Sequence, residues 1–150
     1  MEGRTMTSVK GGRKFWLAAM AGATLLAATV PGALAQDADA DMLKEGRRVY
    51  VEGSCANCHG PKGAGGVSVD FPKGPNLRTS ALDRQTMLDI ISCGLPGTRM
   101  PGWLKGAYTE VSCFGEELGP IPSGVQVNGA FTLEELEALV TYIEKDFMRR

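Results

Sequence analysis

"SCANCHG", residues 54–60, places two cysteines and a histidine within five positions, and His59 is the only histidine among 150 residues. The stretch that follows, "GPKGAGGVSVDFPKGPNL" (60–77), is dense in glycine and proline. It reads as loop, because neither a regular helix nor a central strand tolerates that composition. Chain with so little structural preference of its own needs an organiser, and small domains use disulfides, metals or bound cofactors for that purpose.

Upstream, residues 1–14 carry Arg4, Lys10, Arg13 and Lys14 against one acid, Glu2. An uncharged apolar run, Phe15 to Val30, follows, and then "PGALAQ" with small residues at Ala33 and Ala35. A positive start, an apolar middle and a small-x-small exit describe a secretory signal peptide over residues 1–35, cleaved after Ala35. A transmembrane helix needs about 20 apolar residues, so an uncleaved anchor is the weaker reading, and no membrane span is expected in residues 36–150. Acids outnumber bases in that exported part, which excludes a nucleic-acid protein, since a phosphate backbone calls for a basic face. The charge is unevenly placed. Lys62, Lys73, Arg78, Arg84, Arg99 and Lys105 dominate residues 55–109, whereas residues 110–150 are acidic.

Three helices are expected. One is capped by Asp39 or Asp41 and runs to about Gly53. A second opens at Ser80-x-x-Asp83 and stops at Gly94, burying Leu88, Ile90 and Ile91. The third opens with the capping box Thr132-x-x-Glu135 and buries Leu133, Leu136, Leu139, Val140 and Ile143 at helical spacing. Between the second and third, residues 102–131 form a long irregular insertion, of the kind that is functional or tied down when it occurs in a small domain.

Cys55-Ala56-Asn57-Cys58-His59 fits the signature of covalent c-type haem attachment. Two cysteines three apart on a helical turn reach the two vinyl groups of one porphyrin, and the next residue puts its imidazole on the iron. Thioether bonds also account for two thiols in an exported chain. The rivals lack support: a thioredoxin-like pair wants a βαβ setting, a zinc site wants about four ligands, and a simple Cys55–Cys58 disulfide leaves His59 without a role. With one histidine, a sixth iron ligand would be a methionine thioether. Met42, Met87, Met100 and Met148 are the candidates in the exported part. Met100, on the glycine- and proline-bounded loop "GTRMPGW", is favoured; its competing reading is a gap-filling core side chain. Met87 sits at a helical position and is expected in the core.

On these residues the chain resembles the class I monohaem cytochromes c. "CANCH" is the most specific element; "GPNL" (74–77) is similar to the family's Gly-Pro-x-Leu segment, and "MP" (100–101) to its methionine-ligand loop. Gly46 and Tyr50, with Leu139 and Tyr142, resemble the family's helix-crossing set. The resemblance implies an all-α cytochrome c fold over residues 36–150, with three main helices around one covalently bound haem c. It implies a role for Pro75, whose carbonyl would accept a hydrogen bond from His59 and hold the imidazole in place. The long insertion departs from the family's shorter members.

With His59 and Met100 both on iron no coordination position is open, so the expected function is one-electron transfer between redox proteins in the periplasm. The alternative is a haem-based enzyme or sensor for peroxide or a small gas, with a labile methionine ligand. No spare histidine exists to act as a distal acid or base. The segment from Cys93 to Ala130 resembles parts of cytochromes that serve quinoprotein alcohol dehydrogenases, which suggests a periplasmic dehydrogenase as donor. Cys93 and Cys113 are left over. Export, an even count and an untethered loop point to a disulfide between them, expected to pin the segment that carries Met100. The alternative is two separate buried thiols.

Overall fold

The first helix, α1 (Gly32–Glu52), begins well before either aspartate expected to cap it. Its opening residues include Ala33, Ala35, Ala38 and Ala40, and alanine is the strongest helix former, so Asp39 and Asp41 lie inside the helix as exposed residues. The computed structural model describes residues 32–66 and 68–150. The expected signal peptide, up to residue 31, lies outside the described residues, and the expected cleavage point after Ala35 falls in the first turn of α1. Among the described residues no helix is long and apolar enough to cross a membrane.

α1 packs against α4 (Leu133–Tyr142) at Gly46. A Cβ built on Gly46 would collide with the Ala138 carbonyl oxygen and lie 2.6 Å from the Tyr142 Cβ, so only glycine lets the two backbones approach this closely. Tyr50 stacks beside the crossing, its ring centroid 5.9 Å from that of Tyr142 and 5.2 Å from that of Phe147. Arg48 reinforces the same contact, pairing with Glu45 and Glu52 on its own helix and with Glu135 of α4 at 2.6 Å. Glu135 closes the expected capping box: its carboxylate accepts from the Thr132 amide, and its own amide donates to Thr132 Oγ1. Leu136, Leu139, Val140 and Ile143 are buried as expected. Leu133 is not; it is 46 % exposed, because the first helical residue here projects away from α1. After Tyr142 the helix widens into a π-type turn (Ile143–Met148) that brings Phe147 back into the core.

The middle helix, α3 (Arg84–Cys93), is capped by Asp83 rather than by Ser80. The Asp83 carboxylate accepts from the Thr86 amide at 2.9 Å, while Ser80 Oγ accepts from Leu82 in the turn before. Met87, Leu88, Ile91 and Cys93 are buried, and Ile90 is only partly so.

The chain is not all-α. Within the stretch expected to be irregular, β1 (Gly102–Leu104) and β2 (Val127–Phe131) form a two-stranded parallel sheet. Gly102 pairs with Val127 and Leu104 with Phe131, so β2 carries two extra residues between the pairs. The ladder bonds run from the Gly102 amide to the Gln126 carbonyl and from the Lys105 amide to the Phe131 carbonyl, each 2.8 Å. The intervening 22 residues make the crossover a parallel pair requires.

Candidate functional site

CANCH forms its own short helix, α2 (Cys55–His59). A helix of five residues cannot satisfy its own carbonyls, and the glycine-rich loop supplies the missing donors. The Gly74 amide bonds the Cys58 carbonyl at 2.8 Å, the Gly65 amide bonds the His59 carbonyl at 2.8 Å, and the Leu77 amide returns to the Gly63 carbonyl. From the other side the Tyr50 hydroxyl donates to the Gly60 carbonyl at 2.6 Å. Residues 60–66 and 74–77 therefore wrap α2 closely. A Cβ on Gly74 would lie 2.8 Å from both Cε1 and Nδ1 of the His59 ring.

His59 is buried, and its Nδ1 lies 3.0 Å from the Pro75 carbonyl oxygen. Because a carbonyl can only accept, Nδ1 carries the proton, the tautomer that in a neutral imidazole leaves the lone pair on Nε2. Cys55 and Cys58 are unbridged and partly buried. Burial, the largest influence on Cys55, pushes its thiol up to about 12, so this thiol is not spontaneously nucleophilic near neutral pH.

Met100 sits on a closed hairpin. The Leu95 amide donates to the Met100 carbonyl at 3.1 Å, Gly94 bridges Pro101, and Thr98 Oγ1 both donates to the Leu95 carbonyl and accepts from the Met100 amide. Met100 is partly buried against the hydrophobic core, as are Cys55, Ala56, Leu77, Trp103, Val125 and Val127. Trp103 also lies 5.8 Å, centroid to centroid, from Phe131. Of the other methionines, Met87 is buried in the core as expected, Met42 is 43 % exposed on α1, and Met148 is partly buried at the C-terminus.

Cys93 and Cys113 are bridged, with Cα atoms 5.7 Å apart. The bridge closes a covalent loop that contains Met100. The Met100 hairpin closes through its own bonds, inside the covalent loop. What the disulfide fastens to α3 is the segment 108–119, whose ends meet through the Gly119 amide and the Tyr108 carbonyl at 2.9 Å. Tyr108 and Phe114 in this segment adopt left-handed backbone, φ 69° and 54°, a conformation that costs free energy for large side chains and persists only where surroundings enforce it.

Two groups of cations differ in their partners. Arg48, Arg84 and Arg150 are engaged by carboxylates of α1, α4 and the C-terminal turn. Lys62, Lys73, Arg78, Arg99 and Lys105 are exposed and, among the described residues, form no ion pair.

Residues 41–111 match the family model described as cytochrome C oxidase, cbb3-type, subunit III. The match supports a cytochrome c domain. It covers just under half of the chain and takes in α1 from Asp41 onward, CANCH, the loop and Met100, and it ends before Cys113. A cytochrome c domain implies a covalently bound haem c and haem-based electron transfer. No curated protein and no solved structure matches the chain significantly. Sequence reasoning overlooked Trp103, Val125 and Val127 as half-buried apolar residues packed against the core. The Val-x-Val alternation was the available signal, masked by flanking glycines and proline.

Proposed function

We propose that this protein is a periplasmic one-electron carrier in which Cys55 and Cys58 hold one haem c as thioethers and His59 and Met100 are the axial ligands. The contact between His59 and Pro75 carries the reading. It fixes tautomer and ring rotation together, so Nε2 is presented as a ligand in one orientation and with raised basicity. Cys55, Cys58 and His59 share one helical turn, which suits a group attached at two points and ligated at a third. The half-buried apolar side chains Leu77, Trp103, Val125 and Val127 support it as well, since they come from elements around Met100 and α2 and would keep water from an apolar macrocycle. When bound, haem c supplies a one-electron couple, and a His/Met ligand pair sets its potential high. The protein's part is to hold both ligands, exclude water and present the cationic segments to its partners. The signal-peptide pattern of residues 1–35 supports export, and the resemblance of segment 93–130 supports a dehydrogenase as the donor class.

The test is expression with the export segment in a bacterium that matures haem c. Peptide mapping should place one haem on the peptide holding Cys55 and Cys58. Redox titration should follow a one-electron curve, and the reduced protein should not take up carbon monoxide. Absence of haem from that peptide would overturn the reading. Ready uptake of carbon monoxide would instead favour the gas- or peroxide-reactive alternative.

A further inference from the structure

A groove of about 250 Å³ opens between α3, the start of α4 and the disulfide-held segment. Leu88 and Leu104 form a buried apolar floor, and Val111 and Leu133, 38 % and 46 % exposed, form an apolar rim. Two carboxylates, Asp89 and Glu137, line it as well. Asp89 accepts only from Gln85, and neither carboxylate has an ion pair among the described residues. Ser92 is part of the wall; it is 4 % exposed, and its hydroxyl has no hydrogen-bond partner. Arg84, the first residue of α3, is already held by Glu144, Thr141 and the Glu137 carbonyl.

These features specify an occupant. Between Lys105 and Lys145 every charged residue is acidic: Glu110, Glu116, Glu117, Glu134, Glu135, Glu137 and Glu144. An anionic membrane surface is therefore repelled, and a neutral apolar side chain would leave the carboxylates and the Ser92 hydroxyl unused. We propose that the groove is a docking site for an arginine side chain projected by a partner protein. The methylene stem lies on Leu88, Leu104, Val111 and Leu133, as long cationic side chains do on apolar surface. The planar guanidinium, with five donors and weak hydration, serves two carboxylates at once where a lysine ammonium would serve them poorly. The disulfide holds Val111 and Ser112 in the wall, so the groove exists before the partner arrives. None of its residues is a proposed haem ligand, so the site stands independently of the electron-carrier reading.

The experiment titrates isotope-labelled full-length exported protein with N-acetyl-arginine amide, and separately with its neutral isostere N-acetyl-citrulline amide, at low salt. Backbone amide shifts are followed by NMR. Saturable shifts confined to residues 85–93, 104–112 and 133–137 are expected with arginine, at least about tenfold weaker with citrulline. Asp89→Asn and Glu137→Gln, both at solvent-accessible positions, should each weaken arginine binding about two- to fivefold. Leu133→Ser should weaken it without altering the preference for charge. Equal binding of citrulline, shifts spread over Glu116 and Glu117, or no saturable shift would overturn the proposal. So would the same shifts on merely concentrating the protein, which would make the occupant a second copy of this chain.

Discussion

Replacing both bridged cysteines by alanine tests what the disulfide holds. Cys93 and Cys113 are separated by 20 residues, and closing a loop of that length removes unfolded-state entropy worth about 3 kcal/mol on the chain-entropy model. For a domain of this size that corresponds to a fall in Tm of roughly 10–15 °C. The loss should be selective. Segment 108–119 is fastened to α3 by the bridge, whereas the Met100 hairpin keeps the Leu95–Met100 bond, the Gly94–Pro101 bridge and the Thr98 side-chain bonds. In the Cys93→Ala/Cys113→Ala protein, hydrogen exchange should rise sharply across 108–119. The weak far-red absorption of sulfur-to-iron charge transfer should persist until global unfolding, as followed by circular dichroism. Loss of the far-red signal while the helices remain intact would refute this, and would show that the bridge does pin the methionine. An unchanged Tm would refute the entropic account.

Met100→Ala should abolish the far-red absorption and lower the reduction potential by on the order of 0.1 V, part of the roughly 0.8 V span that axial ligands command; potentiometry checks this, and an unchanged value would remove Met100 from the iron. Gly46→Ala should destabilise the fold by about 3 kcal/mol, at the upper end of overpacking costs, because the added methyl meets the Ala138 backbone rather than a side chain that can turn away; urea titration measures it. The Glu135 carboxyl is held below its ordinary range first by the Thr132 amide and then by Arg48, and that of Asp83 by the Thr86 amide. Their contributions are therefore present above the unfolded carboxylate range of about 4 and lost as pH falls through the depressed folded values. Glu135→Gln and Asp83→Asn should accordingly be less stable than wild type at neutral pH, with a shallower loss of stability on acidification. Electron transfer to an anionic partner should slow as salt rises and on neutralising Lys62, Lys73, Arg78, Arg99 or Lys105, because exposed unpaired cations steer through a screened field; salt-independent rates in stopped flow would exclude this face.

Legibility in the sequence followed the range of the interaction. CANCH, the Thr132–Glu135 box and the C-terminal helix are local patterns, and local patterns survive in a one-dimensional string. The Cys93–Cys113 pairing was legible for another reason: two cysteines remained, and only one pairing was open. The independent closure of the Met100 hairpin was not, since it depends on hydrogen bonds from Leu95 and Thr98 that no residue type announces. The parallel pairing of Gly102–Leu104 with Val127–Phe131 was illegible because a three-residue strand has too little periodicity to show, and its partner lies across a long crossover. The start of α1 was misjudged because Asp39 and Asp41 are good caps in general, yet the alanine-rich run before them continues the helix. Leu133 fits the apolar helical pattern but stands at the first residue of α4, where the stripe has not yet turned toward α1.

The clip around His59 divides the loop 60–77 into parts with different freedom to vary in length. Gly63 to Gly65 and Gly74 to Leu77 are jaws, each tied by an amide or carbonyl to the histidine helix or to the opposite jaw. Between them the tip carries Val69, 97 % exposed, and Phe71, 46 % exposed, and the bond that orders it, from the Asp70 amide to Ser68 Oγ, is internal to the tip. Extra residues, a fluorophore or a tether to an electrode introduced at Ser68–Asp70 would thus enter the chain beside the proposed redox centre without entering its mould. An insertion of a single residue in either jaw would shift every bond the clip makes.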